Sequence, residues 1–404
     1  MAKEKAMTEQ EKNLAEKQQW WWLAEKKRSD RLNHLRKAIW QKGAKGTAYL
    51  PGVKVDLEPS ILYTEAFKEL EAEPLIIRRA KSMAHVWDNI SIFIMDQAQI
   101  VGYRGGAPHT LYWRPDGSFL TNEDLYNDRT VIPEPEKESL HLIREIINYW
   151  NPRTHGAQIS RMLSPEDVMK NMTGFIGWGA PIPLGYSTKQ YGYFFAQGFN
   201  GIIEEIDQKI TEAQEKLYQG VPDPEDYVYY EKLEVWNAMK MMLEAAIRYA
   251  KRYSRLAKII AEHFETDSQR KKELLRISET CSKVPAHPPE HFWESLQFDH
   301  FIQILVRMET GEGAWPARPD YFHWPYYEKD AIQEKNLTRD EAIDLVGEFM
   351  IKAYELGSFS PILGRDTLQS ITGTWVWTLG GVNEDGSDAC NDLTDVFLDA
   401  ALLV

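Results

Sequence analysis

The chain has 404 residues, of which 43% are hydrophobic and 27% charged, as is ordinary for a globular protein. Its formal net charge of −14 disfavours binding to nucleic acid and to anionic membranes. Two cysteines are too few for a disulfide framework, which is typical of the reducing cytoplasm. The N-terminus lacks the apolar core of a signal peptide, and no apolar run reaches the ~18 residues of a membrane span. We therefore expect a cytoplasmic protein without nucleic-acid or membrane partners.

The first 45 residues are predicted to form a separate N-terminal helical arm. Apolar residues recur at helical spacing at Leu32, Leu35 and Ile39. The run Trp20–Trp22 indicates a segment that docks onto the body of the protein or onto a partner. The remainder, residues 46–404, is predicted to be one domain.

Helical patterns dominate that remainder. A helical period from Tyr227 to Ser282 predicts a long helical hairpin, and Thr338 with Glu341 matches a capping box. Ile90–Ile94 and Gln99–Tyr103 are instead predicted to be two short strands, or one strand with a polar turn. Further helices are predicted at 61–70, 138–150, 198–217 and 291–308.

The last stretch of the chain combines a strand, a glycine turn and a helix. Trp375–Leu379 is rich in β-branched and aromatic residues, which predicts a buried strand. Gly380–Gly381 ends this strand, and Asn391 or Asp392 can cap the following helix. Together they make half of a β/α barrel unit. The helical pattern runs to the last residue without a stop signal, so we expect this chain to be the front part of a longer protein.

Local motifs for a reaction are absent from the sequence, which has no HExxH, CxxC, phosphate-binding or nucleophile-elbow motif. Asn383, Asp385 and Asp388 match a calcium loop only loosely, and a turn with a helix cap explains them better. Cys390 stands near a predicted helix N-terminus, where a thiolate is stabilised, although a small buried side chain is the alternative. These patterns alone indicate a helix-rich α/β protein.

Separated stretches of the chain also match the motifs of one known family, in the same order. They are Pro74–Ala80, Ile100–Tyr103, Trp324–Asp330, Leu337–Thr338, Glu341–Ala342, Leu379–Gly381 and Asp385–Thr394. In this the chain resembles the glycyl radical enzymes of the pyruvate formate-lyase superfamily, over most of residues 30–404. The resemblance implies an α/β fold: the helix-rich N-terminal part of a ten-stranded β/α barrel, incomplete at its C-terminus.

The resemblance implies radical chemistry that needs a cysteine and a glycine. In that family the thiyl cysteine lies in a Gly-Cys-x-Glu loop and the radical glycine in an Arg-Val-x-Gly-Tyr loop. Neither motif occurs here, and Cys390, followed by Asn391-Asp392, matches a non-catalytic position. Both residues would therefore lie beyond Val404, and we expect neither a radical nor activity from this chain alone.

A closer resemblance bears on the reaction. Ile260–Asp267, Pro285–Ala286 and Gly386–Thr394 are similar to the large subunit of benzylsuccinate synthase. That similarity implies addition of an apolar or aromatic substrate to fumarate. Arylacetate decarboxylation, diol-type dehydration and a non-catalytic scaffold paralogue are the alternatives. The substrate-pocket residues that the resemblance implies are Tyr193, Tyr186, Gln369, Ile371 and Thr372.

The resemblance also implies how the protein would be activated. No cofactor is expected to bind directly, because a radical S-adenosylmethionine activating enzyme would install the glycyl radical. The other expected partners are a small-molecule substrate, small subunits and further copies of the chain in a homo-oligomer.

Overall fold

Helices dominate the architecture. The computed structural model describes residues 28–40, 54–108, 110–113, 115–116, 137–154, 157, 161–167, 187–188, 190–218, 227–310, 314–315, 317–356 and 377–404. The helices are α1 (Asp30–Trp40), α2 (Glu58–Glu69), α3 (Leu75–Asn89), α4 (Lys137–Trp150), α5 (Tyr191–Tyr218), α6 (Tyr227–His263), α7 (Ser268–Lys283), α8 (Phe292–Thr310), α9 (Pro319–Phe322), α10 (Trp324–Tyr327), a π-helix (Glu328–Gln333), α11 (Arg339–Glu355) and α12 (Asp392–Leu403). Among these described helices, none has the length and apolar composition needed to cross a bilayer.

One apolar core joins most of these helices. The same buried cluster takes residues from α2 to α8 and from α11 and α12. Helix α8 lies at its centre, with Phe298 and Phe301 fully buried. Polar side chains of α8, including Gln297 and His300, are buried as well. Because buried polar groups need hydrogen bonds, these side chains must find partners inside the core. The division into an arm at 1–45 and a domain at 46–404 stays a prediction.

Strands are few and short in the described part of the chain. β1 (Lys54–Asp56) pairs in parallel with β2 (Thr110–Tyr112), with Lys54 opposite Thr110. β3 (Ser187–Thr188) pairs in parallel with β4 (Ala314–Trp315). Such two-stranded pairs are not a barrel wall, so the described residues do not confirm the ten-stranded barrel.

The strand predicted at Trp375–Leu379 is not confirmed either. Its first two residues lie outside the described residues, and Trp377–Leu379 form no strand. The Trp377 ring packs between Phe349 on α11 and Phe397 on α12, with ring centroids 5.3 and 5.5 Å away. A strand needs a neighbour that exchanges backbone hydrogen bonds with it, and no described strand pairs with this segment.

The strands predicted at Ile90–Ile94 and Gln99–Tyr103 are wrong. Neither segment is in a strand or pairs with another part of the described chain as a ladder. Ile90, Ile100, Val101 and Tyr103 are buried and the other apolar residues of the first segment are partly buried, which is why the pattern imitates a strand. The hydrogen-bond partners of Gln99–Tyr103, called here the anchored segment, come from helices instead.

Side chains from three helices hold the backbone of the anchored segment. Glu348 on α11 accepts hydrogen bonds from the N–H groups of its first two residues, at 2.6 and 2.7 Å. The Gln297 amide on α8 accepts from the N–H of the third residue and donates to its carbonyl, at 2.8 and 2.7 Å. The Tyr249 hydroxyl on α6 donates to the carbonyl of the last residue at 2.6 Å. These bonds satisfy backbone groups that a sheet would otherwise have to pair.

Burial perturbs the most important of these side chains. Desolvation raises the pKa of Glu348 from 4.5 to about 7, although the two N–H donors and Lys352 favour the charged form. Its second carboxylate oxygen has no hydrogen-bond partner among the described residues. Ionisation of Glu348 therefore costs free energy in the folded state.

Stability is expected to fall as the pH rises through this range. Between the unfolded pKa of 4.5 and the folded pKa of about 7, the native state binds more protons than the unfolded state. The full effect is on the order of 3 kcal/mol. Glu348→Gln keeps an acceptor for both N–H groups but cannot ionise. Its free energy of unfolding relative to wild type should rise from about pH 5 to about pH 8 in urea denaturation. Glu65→Gln, an exposed control on α2, should differ from wild type in free energy of unfolding by the same amount at every pH in this range. The same pH-independent difference for Glu348→Gln would contradict the raised pKa.

Sequence signals at helix ends are confirmed. Thr338 and Glu341 form a capping box at the start of α11. Asn391 caps α12 through the backbone N–H three residues later. The predicted hairpin consists of α6 and α7, and Asp267 caps the second of these helices. Local hydrogen bonds therefore fix the helix starts where the sequence placed them.

Helix α5 bends at Gly198, where the sequence predicted that a helix begins. Gly198 has a φ of 61°, in the left-handed region that favours glycine. The next two residues, Phe199 and Asn200, donate their N–H groups to the carbonyls of Pro285 and Ala286 at 2.8 and 2.9 Å. A Cβ at Gly198 would stand 2.7 Å from the Ala286 oxygen. The bend therefore requires glycine for both backbone conformation and space.

Gly198→Ala should lower the free energy of unfolding by about 2 kcal/mol or more, because a left-handed L-residue and a backbone clash add together. Gly192→Ala is the matched control in the same helix, since its Cβ would meet its nearest neighbour at 3.9 Å. That control should be neutral or slightly stabilising. Equal melting temperatures for the two variants would show that the bend can straighten without cost.

Candidate functional site

A pocket of ≈ 590 Å³ opens between the first turns of α5, the α9–α10 region and the loop before α12. One side of its lining is aromatic and the other is polar. The aromatic residues are Phe195, Tyr321, Phe322, Trp324 and Tyr326. The residues from the loop are Asn383, Asp388, Ala389, Cys390 and Asn391. The pocket thus suits a ligand with an apolar body and a few polar groups.

Asp320 on α9 fixes the polar side of the pocket. One of its oxygens accepts hydrogen bonds from the Gly380 N–H at 2.6 Å and the Thr394 hydroxyl at 2.7 Å. Its backbone carbonyl accepts from the Asn391 side chain at 3.2 Å. Asp320 is fully buried, and its other oxygen has no hydrogen-bond partner in the described part of the chain. A single carboxylate therefore holds both the glycine turn and the start of α12.

The loop between Gly381 and Asn391 is a self-bonded turn. Asp385 accepts hydrogen bonds from the N–H and hydroxyl of Ser387, at 3.0 and 2.6 Å. The Asn383 side chain donates to the Ser387 hydroxyl at 3.0 Å. Because the polar side chains of this loop hydrogen-bond to one another, a turn explains the pattern of Asn383, Asp385 and Asp388 better than a calcium loop does.

Cys390 exposes its thiol at the pocket. A hydrogen bond from the thiol to the Asp388 carboxylate raises the pKa of Cys390. The thiolate stabilisation predicted from the nearby helix N-terminus is therefore wrong, because the adjacent carboxylate disfavours a second negative charge. The alternative, a small buried side chain, is wrong as well, since Cys390 is exposed. Cys281, by contrast, is buried and its pKa is raised by desolvation.

Tyr193 lies next to the pocket rather than in its lining. It follows the lining residue Gly192 in the first turn of α5, and 37% of it is exposed. Its hydroxyl donates a hydrogen bond to Glu205, which raises the pKa of Tyr193. The other candidates lie outside the described residues, so their assignment to a substrate pocket stays a prediction, as does that of Tyr193. They are Tyr186, Gln369, Ile371 and Thr372.

Tyr193→Phe removes an exposed hydrogen bond and should change the free energy of unfolding by less than about 1 kcal/mol. Tyr191→Phe is the control: that ring is buried and its hydroxyl accepts from Gln303, so its loss should cost ~1–3 kcal/mol. In the complete, activated protein, Tyr193→Phe should lower turnover at an unchanged melting temperature. Normal turnover with a clearly lower melting temperature would assign Tyr193 a structural role only.

A buried polar chain lies behind Phe195, whose ring is 5.4 Å from that of His323. His323 joins the Ser295 hydroxyl at 2.9 Å to the Asp299 carboxylate at 3.1 Å. The order matches a Ser-His-Asp triad, but all three residues are buried and the hydroxyl donates to the Phe292 carbonyl at 2.7 Å. A nucleophile needs access to substrate. The chain is therefore structural; the sequence did not reveal it because His323 lies 24 residues from Asp299.

The chemistry that the pocket offers is binding. Its polar groups are amides, tyrosine hydroxyls, the Asp388 carboxylate and the Cys390 thiol. The one thiol beside a carboxylate in the described lining is Cys390, and Asp388 raises its pKa, which disfavours the nucleophilic thiolate. Among the described residues, the group close enough to share a metal ion is His291, Asp330 and Glu334, and none of them lines the pocket.

Residues 20–402 match the model of the pyruvate formate lyase-like family. The chain therefore belongs to this family, within the glycyl radical enzyme superfamily. This confirms the resemblance on which the sequence interpretation rests.

Three curated relatives show the range of reactions in that superfamily. Isethionate sulfite-lyase of Oleidesulfovibrio alaskensis is 32% identical over 374 residues, covering 85% of this chain and 42% of that protein. Trans-4-hydroxy-L-proline dehydratase of Clostridioides difficile is 30% identical over 358 residues, covering 85% and 44%. Indoleacetate decarboxylase of Tractidigestivibacter scatoligenes is 25% identical over 382 residues, covering 86% and 43%.

Solved structures agree with these relatives. A protein from Roseburia inulinivorans, described for 1,2-propanediol dehydration, superposes with a TM-score of 0.82 at 26% identity, over 93% of this chain and 46% of that chain. The B12-independent glycerol dehydratase from Clostridium butyricum superposes with a TM-score of 0.80 at 28% identity, over 93% of this chain and 46% of that chain. The chain thus spans less than half the length of the proteins it matches.

Proposed function

We propose that the complete protein is a glycyl radical enzyme that eliminates a leaving group, such as water or sulfite, from a small organic substrate. The observation that carries the proposal is the type of reaction for which the similar proteins are named. The sulfite-lyase and the hydroxyproline dehydratase, both at least 30% identical, are named for eliminations, and both solved structures concern dehydration.

Two other reactions rank below elimination. Decarboxylation is supported by the indoleacetate decarboxylase at 25% identity, and by the aromatic lining of the pocket. Addition to fumarate, which the benzylsuccinate-like strings predicted, has no support from these relatives, and elimination replaces it as the first proposal.

The proposed elimination balances without an external oxidant or reductant. A hydrogen atom passes from a substrate carbon to a cysteine thiyl radical. The neighbouring carbon then loses its leaving group with the bonding electron pair, while the heteroatom on the radical carbon gives up a proton, which completes water or accompanies sulfite. The product radical takes the hydrogen atom back from the thiol. A glycyl radical, installed by a radical S-adenosylmethionine activating enzyme, would supply the unpaired electron. Such intermediates need a site closed to water and other hydrogen donors.

This chain would supply part of the wall around that site. We infer that Trp375–Leu379 becomes the first strand of the ten-stranded barrel once a neighbouring strand provides its hydrogen bonds. Helix α11 would support this strand from behind through Phe349, which belongs to the common core. A homo-oligomer, small subunits and the cytoplasmic location remain predictions.

The test uses the complete protein, purified without oxygen and incubated with an activating enzyme, S-adenosylmethionine and reductant. We expect a glycyl doublet in electron paramagnetic resonance and loss of water or sulfite from hydroxylated or sulfonated substrates. Decarboxylation of an arylacetate would favour the second candidate, and addition of toluene to fumarate would overturn elimination. A complete protein without a doublet would favour the scaffold alternative.

Residues 1–404 alone are the control in this experiment. They should give no doublet, because their sequence contains neither Gly-Cys-x-Glu nor Arg-Val-x-Gly-Tyr. A doublet on this chain would show that one of its own glycines holds the radical.

A further inference from the structure

Three side chains of metal-binding type meet at the start of α8. His291 directly precedes this helix, Asp330 belongs to the π-helix and Glu334 follows it. One ligand atom from each lies within 4.8 Å of the other two. We propose that His291, Asp330 and Glu334 bind a divalent transition-metal ion, for which Zn²⁺ is the best match because it accepts imidazole and carboxylate ligands together.

The closest pair of ligand atoms has nearly the spacing that a bound ion requires. His291 Nδ1 lies 2.8 Å from Asp330 Oδ1. Two ligands about 2.1 Å from zinc, at angles between 90° and the tetrahedral value, are roughly 3.0–3.4 Å apart. The pair therefore needs to open by only a few tenths of an ångström, whereas the exposed Glu334 side chain has to approach.

Asp330 is held in place before any ion binds. It is 5% exposed, and its second oxygen accepts a hydrogen bond from the Phe292 N–H at 2.8 Å. That bond caps the start of α8 and turns the other oxygen toward the histidine ring. A ligand that is already fixed loses little conformational freedom when the ion arrives.

The π-helix brings Glu334 to the same side. The Glu334 N–H donates a hydrogen bond to the Lys329 carbonyl, five residues earlier, at 2.8 Å. With this wider turn, residues four apart still lie on one face of the helix, so Asp330 and Glu334 project together. The Glu334 carboxylate is further oriented by the Asn336 side chain, which donates to it at 2.9 Å.

Nearby charges define what the ion must displace. Lys329 Nζ lies 3.9 Å from a Glu334 oxygen and 3.1 Å from the Glu290 carbonyl. The Glu290 carboxylate pairs with Lys283 at 3.1 Å. The Lys329 ammonium thus balances the carboxylates when no metal is bound, and a divalent ion would take over this role. The His291 side chain is 42% exposed, which leaves an entry path and room for a water as fourth ligand.

A bound ion would join the start of α8 to the π-helix. It would therefore strengthen the connection that Asp330 already makes through its cap at Phe292. This role is structural and independent of the reaction proposed for the complete protein.

The test is a titration of the 404-residue chain, without a histidine tag, with zinc chloride by isothermal calorimetry. We expect one zinc ion per chain. When Co²⁺ replaces zinc, we expect the visible absorption of a cobalt ion with a low coordination number. Glu334→Gln should weaken zinc binding by about tenfold or more, because loss of even an outer-shell partner typically costs 10–100-fold. His291→Ala should weaken it at least as much.

Two variants serve as controls. Glu290→Gln removes a neighbouring acid outside the ligand set, and Cys390→Ser removes the exposed thiol, which could capture zinc elsewhere. Both should keep the wild-type affinity. Metal-free melting temperatures verify that Glu334→Gln and His291→Ala remain folded. Lack of zinc uptake at about 100 μM, or equal affinity in wild type and both ligand variants, would overturn the site.

Discussion

The relative positions of three core helices depend on the backbone of the anchored segment, Gln99–Tyr103. Its buried backbone groups are satisfied by side chains from α6, α8 and α11 rather than by a neighbouring strand. Leaving one such group without a partner costs about 1–3 kcal/mol. The three helices therefore cannot shift relative to one another without losing several of these bonds together. Arg104 extends the same connection, because it and Arg307 on α8 both donate to the carbonyl of Leu356.

Helix α8 occupies the centre because it carries two kinds of buried side chain. Phe298 and Phe301 fill the apolar core, while Gln297 and Asp299 bond to the anchored segment and to His323. Buried polar groups of this kind are stable only when they are paired, so they also select one orientation of α8. The triad-like order of Ser295, His323 and Asp299 follows from this structural demand and brings no reactive group to the surface.

The described pocket is suited to binding. Asp320 connects its aromatic and polar sides through Gly380 and Thr394, so the shape of the pocket is set by a buried carboxylate. The Asp388 carboxylate raises the pKa of Cys390, which disfavours the nucleophilic thiolate. The radical reaction that we propose therefore depends on residues that this chain does not contain, and family membership, rather than the geometry of the pocket, points to that reaction.

Most of the longer helices, the start of α11 at Thr338, the start of α12 at Asn391 or its neighbour, and the family could be predicted from the sequence alone. These features depend on hydrogen bonds and periodic patterns within a few residues, or on motifs spread over the whole chain. The sequence did not give the partners of the anchored segment, the bend at Gly198 or the meeting of His291 with Asp330. Each of these joins residues far apart in the chain, so only tertiary packing decides it. An apolar run such as Gln99–Tyr103 suits a strand and a helix-bound segment equally well, and the choice depends on which distant groups pair with its backbone.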